Sequence, residues 1–202
     1  MSDHTLFPTT IQQMALPDLG ALEALEAACW MIEEGDLAGQ AWCEDQGYPG
    51  YTSYASLNDL PDRAPPFAEL LAVLDKQADR FARAVPWELG EATLVCDSFW
   101  VNILASGANH SGHIHPNSVI SGTCYVALPE GAGGIRFEDP RLAMMMAAPM
   151  ITPDAPAPRQ RSFTIDPKPG DVLMWESWLR HEVLINQSDA PRLSISFNYS
   201  LA

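Results

Sequence analysis

Positive charge is scarce in this 202-residue chain: 11 lysines and arginines face 26 aspartates and glutamates, for a formal net charge of −15. A surface of that sign repels nucleic-acid phosphates and anionic lipid, so nucleic acid and membrane are excluded as general partners. A local basic pocket for a small dianion stays open. Cysteine is scarce as well. Cys29, Cys43, Cys96 and Cys124 show no close CxxC spacing, which excludes a zinc ribbon and reads as reduced, intracellular thiols. No apolar run reaches about 18 residues, so no membrane-spanning helix is expected. Met1-Ser2-Asp3-His4 lacks the basic, apolar pattern of a leader. The expected location is cytoplasmic. Repeats and low-complexity tracts are absent too, and nothing in the sequence sets the oligomeric state.

What is present reads as globular: 47 % hydrophobic and 18 % charged residues. The length suits a single domain over 1–202 that buries about 70 % of its unfolded surface, with no need of a disulfide or zinc staple. Residues 4–15, with Leu6, Phe7, Thr9, Thr10 and Ile11, are expected to begin with a short strand. Between Pro17 and Glu34, Leu22, Leu25, Cys29 and Ile32 recur at helical spacing. Residues 36–63 carry turn formers and no sustained period, so an ordered surface connection is expected. From Pro65-Pro66 onward, Phe67, Leu70, Leu71, Leu74, Ala78, Phe81 and Val85 make one apolar stripe that Pro86 ends.

Beyond residue 91 the pattern turns to short strands, separated by Gly, Pro, Asn and Asp. They are expected at 93–105, 119–128, 135–137, 162–165, 172–175, 182–185 and 193–200. The expected fold is therefore α+β: a mainly helical part, 1–92, packed on one face of an all-β sandwich or barrel, 93–202. Residues 147–161 hold four prolines and cannot be regular structure, which leaves two readings, a lid or an edge-covering loop. Met144-Met145-Met146 before them are expected to fill core gaps.

The chemistry concentrates in Asn109-His110-Ser111-Gly112-His113-Ile114-His115-Pro116, which holds three of the chain's five histidines. In an extended strand, side chains at i and i+2 share a face, so His113 and His115 project together. Two imidazoles facing a core are costly without a shared partner, and a metal ion is that partner. A third imidazole, His181, stands at the start of a later strand. His110 replaces His113 as ligand if the chain bulges at Ser111-Gly112. Downstream, Arg192, Ser194 and Ser196 alternate with Leu193, Ile195 and Phe197, so one face of that strand is polar. An inward guanidinium there needs an anion, either a ligand carboxylate or an acid of its own protein.

Together these residues resemble the Fe(II)- and 2-oxoglutarate-dependent oxygenases, in particular a small bacterial group of them. The matching elements lie within residues 93–200: Trp100-Val101-Asn102, the HxH at 113–115, Ser121-Gly122-Thr123-Cys124-Tyr125, Ser177-Trp178-Leu179-Arg180-His181 and Arg192-Leu193-Ser194. The resemblance implies a double-stranded β-helix (jelly roll) at 93–202. It implies metal ligation by His113, His115 and His181, and a 2-oxoglutarate site at Arg192 and Ser194 with Tyr125 and Asn102. The implied reaction hydroxylates a C–H bond of a small molecule or peptide side chain with O2, giving succinate and CO2. Trp100, Trp175 and Trp178 are expected partly in the core and partly on the pocket wall.

One position departs from the family pattern: His115 stands where an aspartate or glutamate is usual. Three neutral imidazoles leave Fe(II) at +2, still attractive to a dianionic cosubstrate, but they also suit zinc or nickel. A cupin-like three-His protein, such as a thiol dioxygenase or isomerase, is the alternative, since Gly107-x5-His113-x-His115 fits the start of that family's motif. That fit ends after His115, where Ser118, Val119 and Ile120 stand in place of a glutamate. A non-catalytic β-sandwich with adventitious metal is the third reading.

Overall fold

The structure is a computed structural model that describes residues 1–18 and 20–202. In chain order it runs β1 (Ile11–Ala15), α1 (Ala21–Gly35), α2 (Leu37–Gln46), β2 (Gly50–Thr52), α3 (Leu60–Arg63) and α4 (Pro65–Ala84). Then come β3 (Leu94–Leu104), β4 (His110–His113), β5 (Ile120–Ala127), β6 (Ile135–Glu138), β7 (Ser162–Ile165), β8 (Asp171–Glu176), β9 (His181–Val183) and β10 (Arg192–Leu201). The strands form two antiparallel sheets: a six-stranded one ordered β1-β8-β5-β10-β3-β2 and a four-stranded one ordered β4-β9-β6-β7.

Strand alternation decides what each face of the larger sheet carries. Leu193, Ile195, Phe197 and Tyr199 of β10 join Val101, Cys124 and Val172 in the main core. The helices supply the rest of that core, with Leu25, Cys29 and Ile32 from α1 and Phe67, Leu70, Leu74, Ala78 and Phe81 from α4. Each fully buried side chain of this kind contributes about 1.5–3 kcal/mol relative to exposure. Gly122 of β5 is needed on that face, because a Cβ there would stand 2.3 Å from the Phe197 ring and 2.5 Å from Leu173 O. On the opposite face, Tyr125, Leu173 and Trp175 meet Ile135, Phe137 and Leu179 in a smaller apolar cluster. The remainder of the space between the sheets is lined by polar residues together with Trp100, Leu104 and Val183.

Three expectations need correction. Residues 36–63 are not a bare connection but hold α2, β2 and α3. The only buried residues of α2 are Gly39 and Cys43, so it has no apolar stripe to betray it. It is fixed by its ends, with the buried Asp36 carboxylate accepting from Gly39 N and Gly47 in the left-handed conformation. Met144 and Met146 fill no core gap: they are 75 % and 94 % exposed. His115 is not on a strand, since β4 stops at His113. Leu19, inside the first expected helix, lies outside the described residues. Between 147 and 161 the only regular element is a 3-10 turn at Ala157–Arg159.

Candidate metal centre

Strand pairing assembles the histidines. In the β4–β9 ladder His113 faces His181 directly, and the two ring centroids lie 4.4 Å apart. His115 arrives from the turn after β4, held by its backbone N–H donating to Ser177 O at 3.0 Å. Its ring lies 5.3 Å from that of His181 and nearly parallel to it, and 5.0 Å from that of His113. One ring nitrogen from each of His113, His115 and His181 falls within 4.8 Å of the others, a grouping able to hold one ion. The chain does slip register between His110 and His113. This irregularity stacks the His110 ring on that of His113 at 4.5 Å. His110 stands beside the trio, outside the grouping.

Backbone carbonyls fix two of the tautomers. His113 Nδ1 lies 2.8 Å from Ser111 O and His181 Nδ1 lies 2.9 Å from Leu179 O. A carbonyl only accepts, so each Nδ1 carries the proton and donates, leaving the Nε2 lone pair free. Burial is the main cause that pushes these rings toward the neutral form. It takes His115 down to about 4 and His181 down to about 3, and it lowers His113 as well. Neutral imidazole is the form that ligates a metal.

The trio lines a cavity of about 40 Å³ that no carboxylate faces. Along its larger-sheet wall, Tyr125, Ser194 and Asn102 form one row across β5, β10 and β3. Arg192 lines the same cavity, 2 % exposed, with its Cζ 5.5 Å from the centre of the Tyr125 ring. Its Nε and Nη2, and the Tyr125 hydroxyl, are buried without a hydrogen-bond partner. Burial pulls the Arg192 pKa below its ordinary value, and a guanidinium stays charged through such a shift. A buried cation without a counter-charge costs several kcal/mol, so the arrangement is complete only with an anion in it. The donor set thus fits a metal ion at the imidazoles and an anion at Arg192.

Asn102 is committed elsewhere: its Oδ1 accepts from Thr52 Oγ1 at 2.9 Å and its Nδ2 donates to Ser196 Oγ at 3.0 Å. Trp100 and Trp175 line the cavity, whereas Trp178 is 46 % exposed. Thr123, 3.2 Å from Ser196, is named from the sequence only as part of the matching element 121–125, and Trp175 only as core or pocket wall, with no role for its unpartnered indole N–H. Thr123 was detectable, because it shares the alternating face of Ser121 and Tyr125. The Trp175 N–H was not, since an indole gives the same apolar signal whether or not its nitrogen is paired.

The family model described as "Putative 2OG-Fe(II) oxygenase" matches residues 98–198. A Pseudomonas putida prolyl-4-hydroxylase has a similar fold, with TM-score 0.64 and 16% identity over 95% of this chain and 92% of that one. HygX from Streptomyces hygroscopicus, solved with nickel and 2-oxoglutarate bound, gives TM-score 0.58 and 14% identity over 95% and 82% of the two chains. A Trichoplax adhaerens prolyl hydroxylase, in complex with a hypoxia inducible factor peptide fragment, gives 0.63 and 11% over 94% and 83%. No curated protein matches at the sequence level. These structures share the jelly roll, and the family match covers half of the residues here. The chain accordingly belongs to the 2OG-Fe(II) oxygenases, oxidoreductases that use Fe(II) and 2-oxoglutarate.

Proposed function

We propose that His113, His115 and His181 hold the Fe(II), and that Arg192, with Tyr125 and Ser194, receives the far carboxylate of 2-oxoglutarate. When bound, metal and cosubstrate supply an oxidation by O2 that hydroxylates a substrate C–H bond and releases succinate and CO2. The protein's part is to keep three imidazoles neutral and aimed, to orient the dicarboxylate, and to exclude water. Trp100, Leu104, Ile135, Trp175 and Val183 make the apolar wall for the last task. Asn102 acts through the row it braces: its bonds to Thr52 and Ser196 hold β2, β3 and β10 in line beside Ser194. We infer that residues 1–92 serve as the support on which the 93–202 β-helix is built.

The observation that carries this reading is the unpartnered Arg192 in the same acid-free cavity as the three imidazoles. The far carboxylate of 2-oxoglutarate gives this guanidinium its anion, and the family match over residues 98–198 favours that enzyme over the cupin-like alternative. Substrates of the small-molecule or peptide side-chain class fit the reading. The net charge of −15 speaks against nucleic acid or an anionic membrane surface as partner. Among the described residues no helix is long and apolar enough to cross a membrane. Four free cysteines, three of them buried, support a cytoplasmic location.

Anaerobic addition of Fe(II) and 2-oxoglutarate together should produce a weak visible absorption band, and His181→Ala should abolish it. Absence of the band in the intact protein, with no thermal shift on adding 2-oxoglutarate, would return the case to the cupin-like reading.

A further inference from the structure

A second cavity, of about 760 Å³, lies between the N-terminal segment and the 139–162 connection, and it shares no lining residue with the metal cavity. Its size is that of pockets that take small organic ligands. Leu6, Phe7, Ile151 and Phe163 line it while exposed to solvent, a clustering of apolar surface that folding alone does not reward. Phe7 is the one non-glycine residue among those described with a positive φ, +60°, and such strain collects at ligand sites.

The polar side of this cavity is the reverse of the molecule's surface. Arg141, Arg159 and Arg161 line it against a single acid, Asp139. Arg141 takes that acid in a two-pronged pair at 2.9 and 2.8 Å. Arg159 has no ion pair among the described residues. Arg161 Nη2 donates to Pro149 O, and its Nε is buried with no partner. An apolar hollow with two guanidinium groups left over, in a chain of net charge −15, selects for an apolar body carrying a negative group. We infer that this cavity is a binding site for a small amphipathic anion. The site abuts the metal centre: Leu179 lines it, and the Leu179 carbonyl orients His181. Phe137, also on its wall, has its ring 6.0 Å from that of His181.

Calorimetric titration of the metal-free full chain with decanoate and with decanol, below their aggregation limits, tests the site without reference to the metal. The expected result is saturable binding of decanoate about tenfold tighter than of decanol. The double variant Arg159→Gln, Arg161→Gln should bring decanoate down to the decanol level and leave decanol binding unchanged. Failure of both ligands to saturate, or equal affinity for the two in the unaltered protein, overturns the proposal. So does a preference for decanoate that survives in the folded double variant. The comparison in the unaltered protein decides even if the double variant does not fold.

Discussion

Arg192 is the residue on which most turns, because a buried guanidinium with no anion beside it is a liability. Its buried Nε and Nη2 have no acceptor. Arg192→Met should therefore raise the stability of the metal-free protein, by about 1–3 kcal/mol in urea unfolding, as replacement of uncompensated buried charge does elsewhere. Arg192→Ala should weaken 2-oxoglutarate at least about tenfold in calorimetry, with metal content intact. Equal loss of metal would make the residue structural. The imidazoles give a second prediction. Burial is the main cause lowering the folded pKa of His110, His115 and His181, to about 4, about 4 and about 3, from an ordinary 6.5. Below that ordinary value the unfolded chain binds protons that the folded chain refuses, so stability is full at neutral pH and falls as the pH drops toward 4. A urea midpoint of the metal-free protein that stays flat between pH 7 and 5 would contradict this. These residues were legible because chemistry-bearing types are rare here: five histidines in all, three of them close together. Arg159 and Arg161 were not, since they stand in a connection without a period to tell which side chains line a cavity.

At the scale of elements, legibility followed the strength of the periodic signal. The α4 stripe and the alternation of β10 were plain, and both elements stand within a residue or so of their expected limits. By contrast, α2 buries only Gly39 and Cys43 and depends on the Asp36 cap, so no apolar period announced it. His113 and His115 do meet, but not because they share a strand face. The β4 ladder is irregular between His110 and His113, and His115 is brought back by its bond to Ser177 O. Spacing alone gave the right neighbours for the wrong reason. In β5, alternation sends Ser121, Thr123 and Tyr125 inward and leaves Gly122 under the Phe197 ring. Gly122→Ala should cost about 1–3 kcal/mol by overpacking, read from the denaturation midpoint. No change in midpoint would mean that β5 and β10 can part more easily than their packing implies.

For the whole molecule, the division of labour runs between the two faces of the larger sheet. The outer face is sealed by α1 and α4 around a continuous apolar core, and the inner face brings Arg192 to the cavity that four histidines of the smaller sheet and its following turn line from the other side. A β sandwich or barrel was readable from the count and spacing of short strands with a helical stretch before them, and the jelly roll only from the family resemblance of residues 93–200. How the N-terminal segment and the 139–162 connection fold together was not, because loops carry no period. In the proposed site one metal ion and one dicarboxylate share the space between the histidine trio and Arg192. Anomalous diffraction from crystals grown with nickel(II) and 2-oxoglutarate tests it most directly. The expected result is a single strong peak among the nitrogens of His113, His115 and His181, with ligand density running from it to the Arg192 guanidinium. A peak elsewhere, or an Arg192 turned to an acid of its own chain, would contradict it.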